Sequence, residues 1–149
     1  MQSRHAGVLE REGMLFVYSE HRTTAGLLIQ QDDAVAVAAA DREGIGAAVT
    51  SALANYRDNV SHPGFKNYKP LEAHKRLLAL AKVRSLRAFF ATARLVSVTA
   101  QNGSLLLEPW RAEGKVSEFA PLPGKARQVV TTTHREIGDA IVATLVDAE

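Results

Sequence analysis

Apolar residues fall twice on the i, i+3, i+4, i+7, i+8 stripe of an amphipathic helix, and the two stripes are copies of each other. IGAAVTSAL from Ile45 recurs 92 residues later as IGDAIVATL from Ile137, so Ile45, Ala48, Val49, Ala52 and Leu53 match Ile137, Ala140, Ile141, Thr144 and Leu145. Asp41 stands as N-cap before the first copy, and Thr133 with Glu136 three residues on forms a capping box before the second. Gly46 and Gly138 share a register. Each costs about 1 kcal/mol against alanine inside a helix, and a cost incurred twice predicts close packing, here against a sheet.

Extended stretches precede each helix. Val35 to Ala38 and Gln128 to Val130 lie directly ahead, with MLFVY and GLLIQ earlier in the first half. In the second half LVSVTA and SLLLE flank Gln101-Asn102-Gly103-Ser104, and Asn-Gly between apolar runs is the strongest short-range hairpin signal. Between the halves, Leu71, Leu77, Leu78 and Ala81 predict one helix after Pro70, and Leu86, Phe89, Phe90 and Ala93 predict a second, capped by Ser85, that buries both phenylalanines. The segment SHPGFKNYKP reads as a loop. The expected fold is α+β: one domain over 1–149, with related β-rich halves at about 8–56 and 95–148, each ending in a helix, joined by a two-helix insert at about 70–93.

A chain of 149 residues, 46% hydrophobic and 23% charged, needs one core and carries no low-complexity tract. It has no cysteine, which excludes disulfides, thiolate metal sites and cysteine nucleophiles and suits a reducing compartment. The N-terminus has no signal-like apolar run, and no stretch reaches the roughly 18 apolar residues of a membrane span. A soluble, cytoplasmic protein is expected. The net charge of +2 conceals segregation: residues 65–94 hold eight basic side chains against one acid, and both flanks are acidic.

Catalytic patterns are missing: no GxGxxG, P-loop, HExxH, GxSxG or EF-hand occurs. The histidines His5, His21, His62, His74 and His134 include no pair at helical metal-site spacing, so neither metal nor cofactor is expected. His62 reads as a loop histidine bonded to backbone, and Asp32-Asp33 as turn residues. An enzyme built around Arg22, His62 and a carboxylate is the third reading. The second is a nucleic-acid-binding domain that uses the basic insert, with Phe65 and Tyr68 for stacking, since Phe89 and Phe90 lie on an apolar stripe.

Six patterns in register carry a resemblance to a known family. They are Tyr18-Ser19-Glu20-His21-Arg22-Thr23-Thr24-Ala25-Gly26, the first IG-x-A helix followed by Ser61-His62-Pro63, VRSLRAFF at Val83 to Phe90, the strand pair around Asn102-Gly103, Phe119-Ala120-Pro121-Leu122, and the final IG-x-A helix. Together they resemble the CdiI-type immunity proteins of bacterial contact-dependent growth inhibition (CDI). Leu86, where the family pattern has tryptophan, and the alanine-rich stretch from Val35 to Ala40 depart from it.

The resemblance implies a protein that catalyses nothing and that binds and blocks the C-terminal toxin domain of a cognate effector in the cytoplasm. Toxins of this class are often nucleases with basic clefts. The acidic residues Glu20, Asp32, Asp33, Asp41, Glu43 and Asp58 are therefore the expected toxin-binding set. Lys66, Lys69, Lys75 and Arg76 form the competing basic surface for a toxin with an acidic face.

Overall fold

The computed structural model describes residues 3–64, 69–116, 118–130 and 133–149. The first half runs β1 (Arg4–Arg11), β2 (Met14–Thr23), β3 (Leu28–Gln30), β4 (Val35–Ala38), α1 (Arg42–Ala54) and β5 (Arg57–Val60). An insert of three short helices follows: α2 (Pro70–Ala73), α3 (Lys75–Ala81) and α4 (Leu86–Phe90). The second half runs β6 (Arg94–Gln101), β7 (Ser104–Ala112), β8 (Phe119–Pro121), β9 (Arg127–Val129) and α5 (His134–Asp147).

The strands form one sheet in the order β3-β2-β1-β6-β7-β8, with β4 and β5 also pairing with β2 and β9 with β7. The halves are built alike. β4 lies along Met14 to Val17 and β3 along Glu20 to Arg22, just as β9 lies along Leu105 to Leu107 and β8 along Trp110 to Ala112. They join at the antiparallel pair β1 and β6, where Ala6 faces Val98 and Val8 faces Val96. The apolar pattern gave no warning of β1. Glu12-Gly13 closes its hairpin at φ 53° and 80°, the same geometry as Asn102-Gly103 at 53° and 78°. Both turns thus take the two positive φ values of a type I′ turn.

Strand alternation sends Ala6, Val8, Leu15, Val17, Val96, Val98, Leu105 and Leu107 to one face. There they meet Ile45, Val49 and Leu53 of α1 and Ile137, Ile141 and Leu145 of α5, all buried. Each such side chain contributes about 1.5–3 kcal/mol of burial. The predicted caps are present: Asp41 accepts from the Gly44 N–H at 3.0 Å, and Thr133 Oγ1 from the Glu136 N–H at 3.1 Å.

The glycine expectation needs correction, because Gly46 and Gly138 pack helix against helix and not helix against sheet. A Cβ on Gly46 would stand 1.8 Å from the His134 carbonyl oxygen, and one on Gly138 1.9 Å from that of Arg42. Each helix thus rests its glycine on the first turn of the other. An ion pair of Arg42 with Asp139 at 3.1 Å spans the same crossing.

The insert covers the opposite face, burying Leu77, Leu78 and Phe89 against Leu9, Phe16 and Tyr18. The single helix expected from Leu71 to Ala81 is two, broken at His74, whose φ of −113° and ψ of 15° leave the helical range. Ser85 caps α4 through the Ala88 N–H. Phe89 is fully buried, edge-on to Phe16 at 5.4 Å, whereas Phe90 is half-buried at the margin between His74 and Phe119. Burial of both rings was expected; adjacent helix positions point about 100° apart, so with Phe89 aimed at the core Phe90 comes to lie at its margin. Of the loop SHPGFKNYKP, residues 65–68, which include Phe65, Lys66 and Tyr68, lie outside the described residues. Among the described residues no helix is long and apolar enough to cross a membrane.

Candidate protein-binding surface

The six acidic candidates do not form one patch. Asp32 and Asp33 lie together in the β3–β4 connection, beside the C-terminal end of α1. With Ser19, His21, Asn55 and Arg57 they line an open cleft of about 520 Å³. Asp33 turns inward and its carboxylate accepts the Ser19 N–H at 2.9 Å and, on its second oxygen, the Ser19 hydroxyl. Asp41 and Glu43 are exposed at the other end of α1, about 20 Å away along 13 residues at 1.5 Å each. Asp58 is exposed on β5.

Glu20 is on the wrong face for that set. Alternation along β2 sends Ser19 and His21 toward the α1 side and Glu20 toward the insert with Phe16 and Tyr18. It is half-buried among Leu9, Tyr18, Gln30, His74 and Phe90, and burial pushes its carboxyl up to about 7 against the opposing charge of Arg22. Burial, helped by the Glu20 charge, also pushes the Tyr18 hydroxyl well above its usual value. The period-2 run Phe16, Tyr18, Glu20 was the sequence signal for this placement.

Of the basic candidates, Lys66 lies outside the described residues, and Lys69, Lys75 and Arg76 are exposed around the starts of α2 and α3. Arg76 is not a freely swinging cation: its Nε donates to the Ala34 carbonyl at 2.7 Å and its backbone N–H to Asp32 at 2.7 Å. The acidic and basic surfaces, set apart in the sequence, thus share a border.

The Arg22 and His62 grouping is divided between different partners. Arg22 donates to the Gly26 carbonyl at 2.9 Å and to His5 Nε2 at 3.2 Å, while His62 Nδ1 lies 3.1 Å from Thr23 Oγ1, a side-chain partner in place of the expected backbone one. Burial foremost, then the Arg22 charge, holds His5 below its usual value, with Asp58 opposing. Thr99 Oγ1 sits 3.2 Å from the other ring nitrogen of His5. These contacts tie strands β1, β2 and β6 together.

A comparison with curated proteins finds no match. Among solved structures, the chain is similar to a protein of unknown function from Neisseria meningitidis, at 20% identity and TM-score 0.80, covering 99% of this chain and 96% of that one. It is also similar to a chain of a CdiA-CT/CdiI toxin and immunity complex from Yersinia pseudotuberculosis, at 15% identity and TM-score 0.75, covering 100% and 99%. At these identities the likeness speaks for the fold. The model of the family CdiI, CDI immunity protein, matches residues 10–146, which takes in both halves and the insert, and the chain belongs to that family.

Proposed function

We propose that this chain binds the CdiA-CT toxin domain encoded beside it and neutralises it in the cytoplasm, by surface complementarity and without catalysis, metal or cofactor. The observation that carries this reading is the family match over residues 10–146, which spans nearly the whole fold. The likeness to a chain of a toxin and immunity complex supports it.

The docking surface is the acidic first half, centred on the cleft at Asp32 and Asp33, with Asp58 next to the cleft residue Arg57, and with Asp41 and Glu43 adding charge from the far end of α1. The C-terminal end of α1 at Asn55 opens onto that cleft, and the partial negative charge of a helix C-terminus adds to the two carboxylates. A basic face on the toxin suits this potential, and complementary charge raises the association rate. The basic residues Lys69 and Lys75 take over the contact for a toxin that presents an acidic face.

Co-expression with the adjacent toxin domain tests the reading. Cells carrying both genes should survive where those carrying the toxin alone die, and death in both cases would refute it.

A further inference from the structure

Beneath the insert, on the face away from α1 and α5, lies a pocket of about 200 Å³. It is smaller than the roughly 300–1,000 Å³ of a cofactor or drug-sized site, so it admits one side chain. Its floor is Leu9, Tyr18, Glu20, Gln30 and Leu95, and His74, Phe90 and Phe119 wall it. Glu20 and Gln30 are directly paired across β2 and β3, and Leu28, paired with Arg22, forms a lip that is 37% exposed. No ion pair or hydrogen bond among the described residues engages the Glu20 carboxylate, and the Gln30 side-chain nitrogen is buried with no partner. The Glu20 carboxylate is thus an acceptor that no protein donor engages, set in an otherwise aromatic and aliphatic wall, and a donor that enters the pocket can supply the partner it lacks.

We propose that this pocket is the socket for one basic side chain, a lysine or arginine, of the bound toxin, with Glu20 as its counter-charge. The inference rests on the immunity reading above and adds the chemistry of one contact. Strand β3 is an edge strand, Gln30 lines this pocket and Gln31 lines the cleft at Asp32 and Asp33 on the other face, so a toxin that covers the β3 edge reaches both. A cation entering between Phe90, Phe119 and Tyr18 meets aromatic rings that attract it and a carboxylate that it can pair with. Glu20, half protonated near pH 7 in the unbound chain, must release its proton to solvent as the cation enters. The other titratable groups facing it are Tyr18 and Arg22 on its own strand and His74 from the insert; Leu9, Leu28, Gln30, Phe90, Leu95 and Phe119 do not titrate.

Calorimetric titration of the purified chain with the adjacent CdiA-CT domain, at pH 6 and pH 8 in buffers of different ionisation enthalpy, reads both affinity and proton release. Wild-type affinity should rise toward pH 8, approaching tenfold per pH unit below the Glu20 titration for one linked proton. Glu20→Gln should bind roughly tenfold or more weakly at pH 8 and lose most of the pH dependence and the proton release. Leu28→Trp, which narrows the lip without touching Glu20, should also weaken binding. One lysine or arginine of the toxin should lose its effect on affinity in the Glu20→Gln background, as a double-mutant cycle requires. Wild-type-like affinity and pH profile in both variants would overturn the socket while leaving the immunity reading in place. A wild-type chain that binds no toxin would overturn both.

Discussion

Asp32 accepts a hydrogen bond from the Arg76 backbone N–H at 2.7 Å, so a residue of the β3–β4 connection caps helix α3 across 44 positions of sequence. His74, at the N-cap position itself, supplies no side-chain cap. Asp32→Ala should therefore cost about 0.5–2 kcal/mol, the range of a lost N-cap. Arg76→Ala, which loses the bond to the Ala34 carbonyl, should cost about 0.5–1.5 kcal/mol. Urea midpoints of the two variants check both values. A charge change at either position reports on folding as well as on partner binding.

Gly46→Ala and Gly138→Ala should both destabilise, although alanine is the better helix former by about 1 kcal/mol. The added methyl would fall 1.8 or 1.9 Å from a backbone oxygen of the facing helix, and backbone cannot swing aside as a flexible side chain does. The helices must separate, and overpacking of this kind costs about 1–3 kcal/mol or more. Thermal midpoints below wild type for both variants are the expected result; an increase in either would mean that the crossing is looser than described.

Ile141→Ala should cost about 2–5 kcal/mol, as for a large aliphatic side chain removed from a packed core. Ile141 has no exposed surface and sits in the cluster shared by both helices and the sheet. An unchanged thermal midpoint would rule out the shared core.

The repeated helices were legible because Ile45 and Ile137 begin stripes of the same spacing with local caps, and the Asn102-Gly103 hairpin was legible because that dipeptide takes positive φ readily. Strand β1 was not. Its turn uses Glu12 in place of asparagine, its Gly7 lies under the Tyr18 ring, and half of its pairing is with β6, some ninety positions away. Such pairing depends on the closed fold and leaves no mark in a local window. The acidic set was misjudged for a related reason: net charge along a sequence says nothing about which face of a strand a side chain takes, and one step along β2 separates Ser19, bonded to Asp33, from Glu20 in the opposite pocket.

Stability should respond to pH through Glu20 and His5 with opposite signs. Glu20 is raised from 4.5 to about 7, so the folded chain keeps a proton that the unfolded chain gives up. Its contribution is fully present below pH 4.5 and is lost as pH rises through about 7; at about 1.4 kcal/mol per pKa unit it amounts to at most about 3.5 kcal/mol, less after solvent screening. His5 is lowered, so its contribution is present above its ordinary value of 6.5 and is lost as pH falls below that. Denaturation of wild type and Glu20→Gln between pH 5 and pH 8 separates the two. The variant should gain on wild type as pH rises, and a constant difference would mean that Glu20 does not titrate in this range.

Electrostatic docking is best tested at charges that hold nothing else together. Asp32, Asp33 and Arg76 are poor probes, since each bonds a backbone group or a neighbouring side chain of the fold. Asp41 caps α1 through the Gly44 N–H and is equally compromised. Glu43 and Lys75 are exposed in the first turns of α1 and α3, and Lys69 is exposed ahead of α2. Glu43→Lys should cost less than about 1 kcal/mol of stability, the size of a first-turn dipole effect. With a basic toxin, stopped-flow association at low salt should slow on Glu43→Lys and quicken on Lys69→Glu with Lys75→Glu, and both effects should shrink as salt shortens the screening length from about 30 Å at 0.01 M to about 8 Å at 0.15 M. The opposite pattern would place the toxin on the basic insert. If neither charge change altered the association rate at low salt, long-range attraction would have no part in bringing the toxin to this surface.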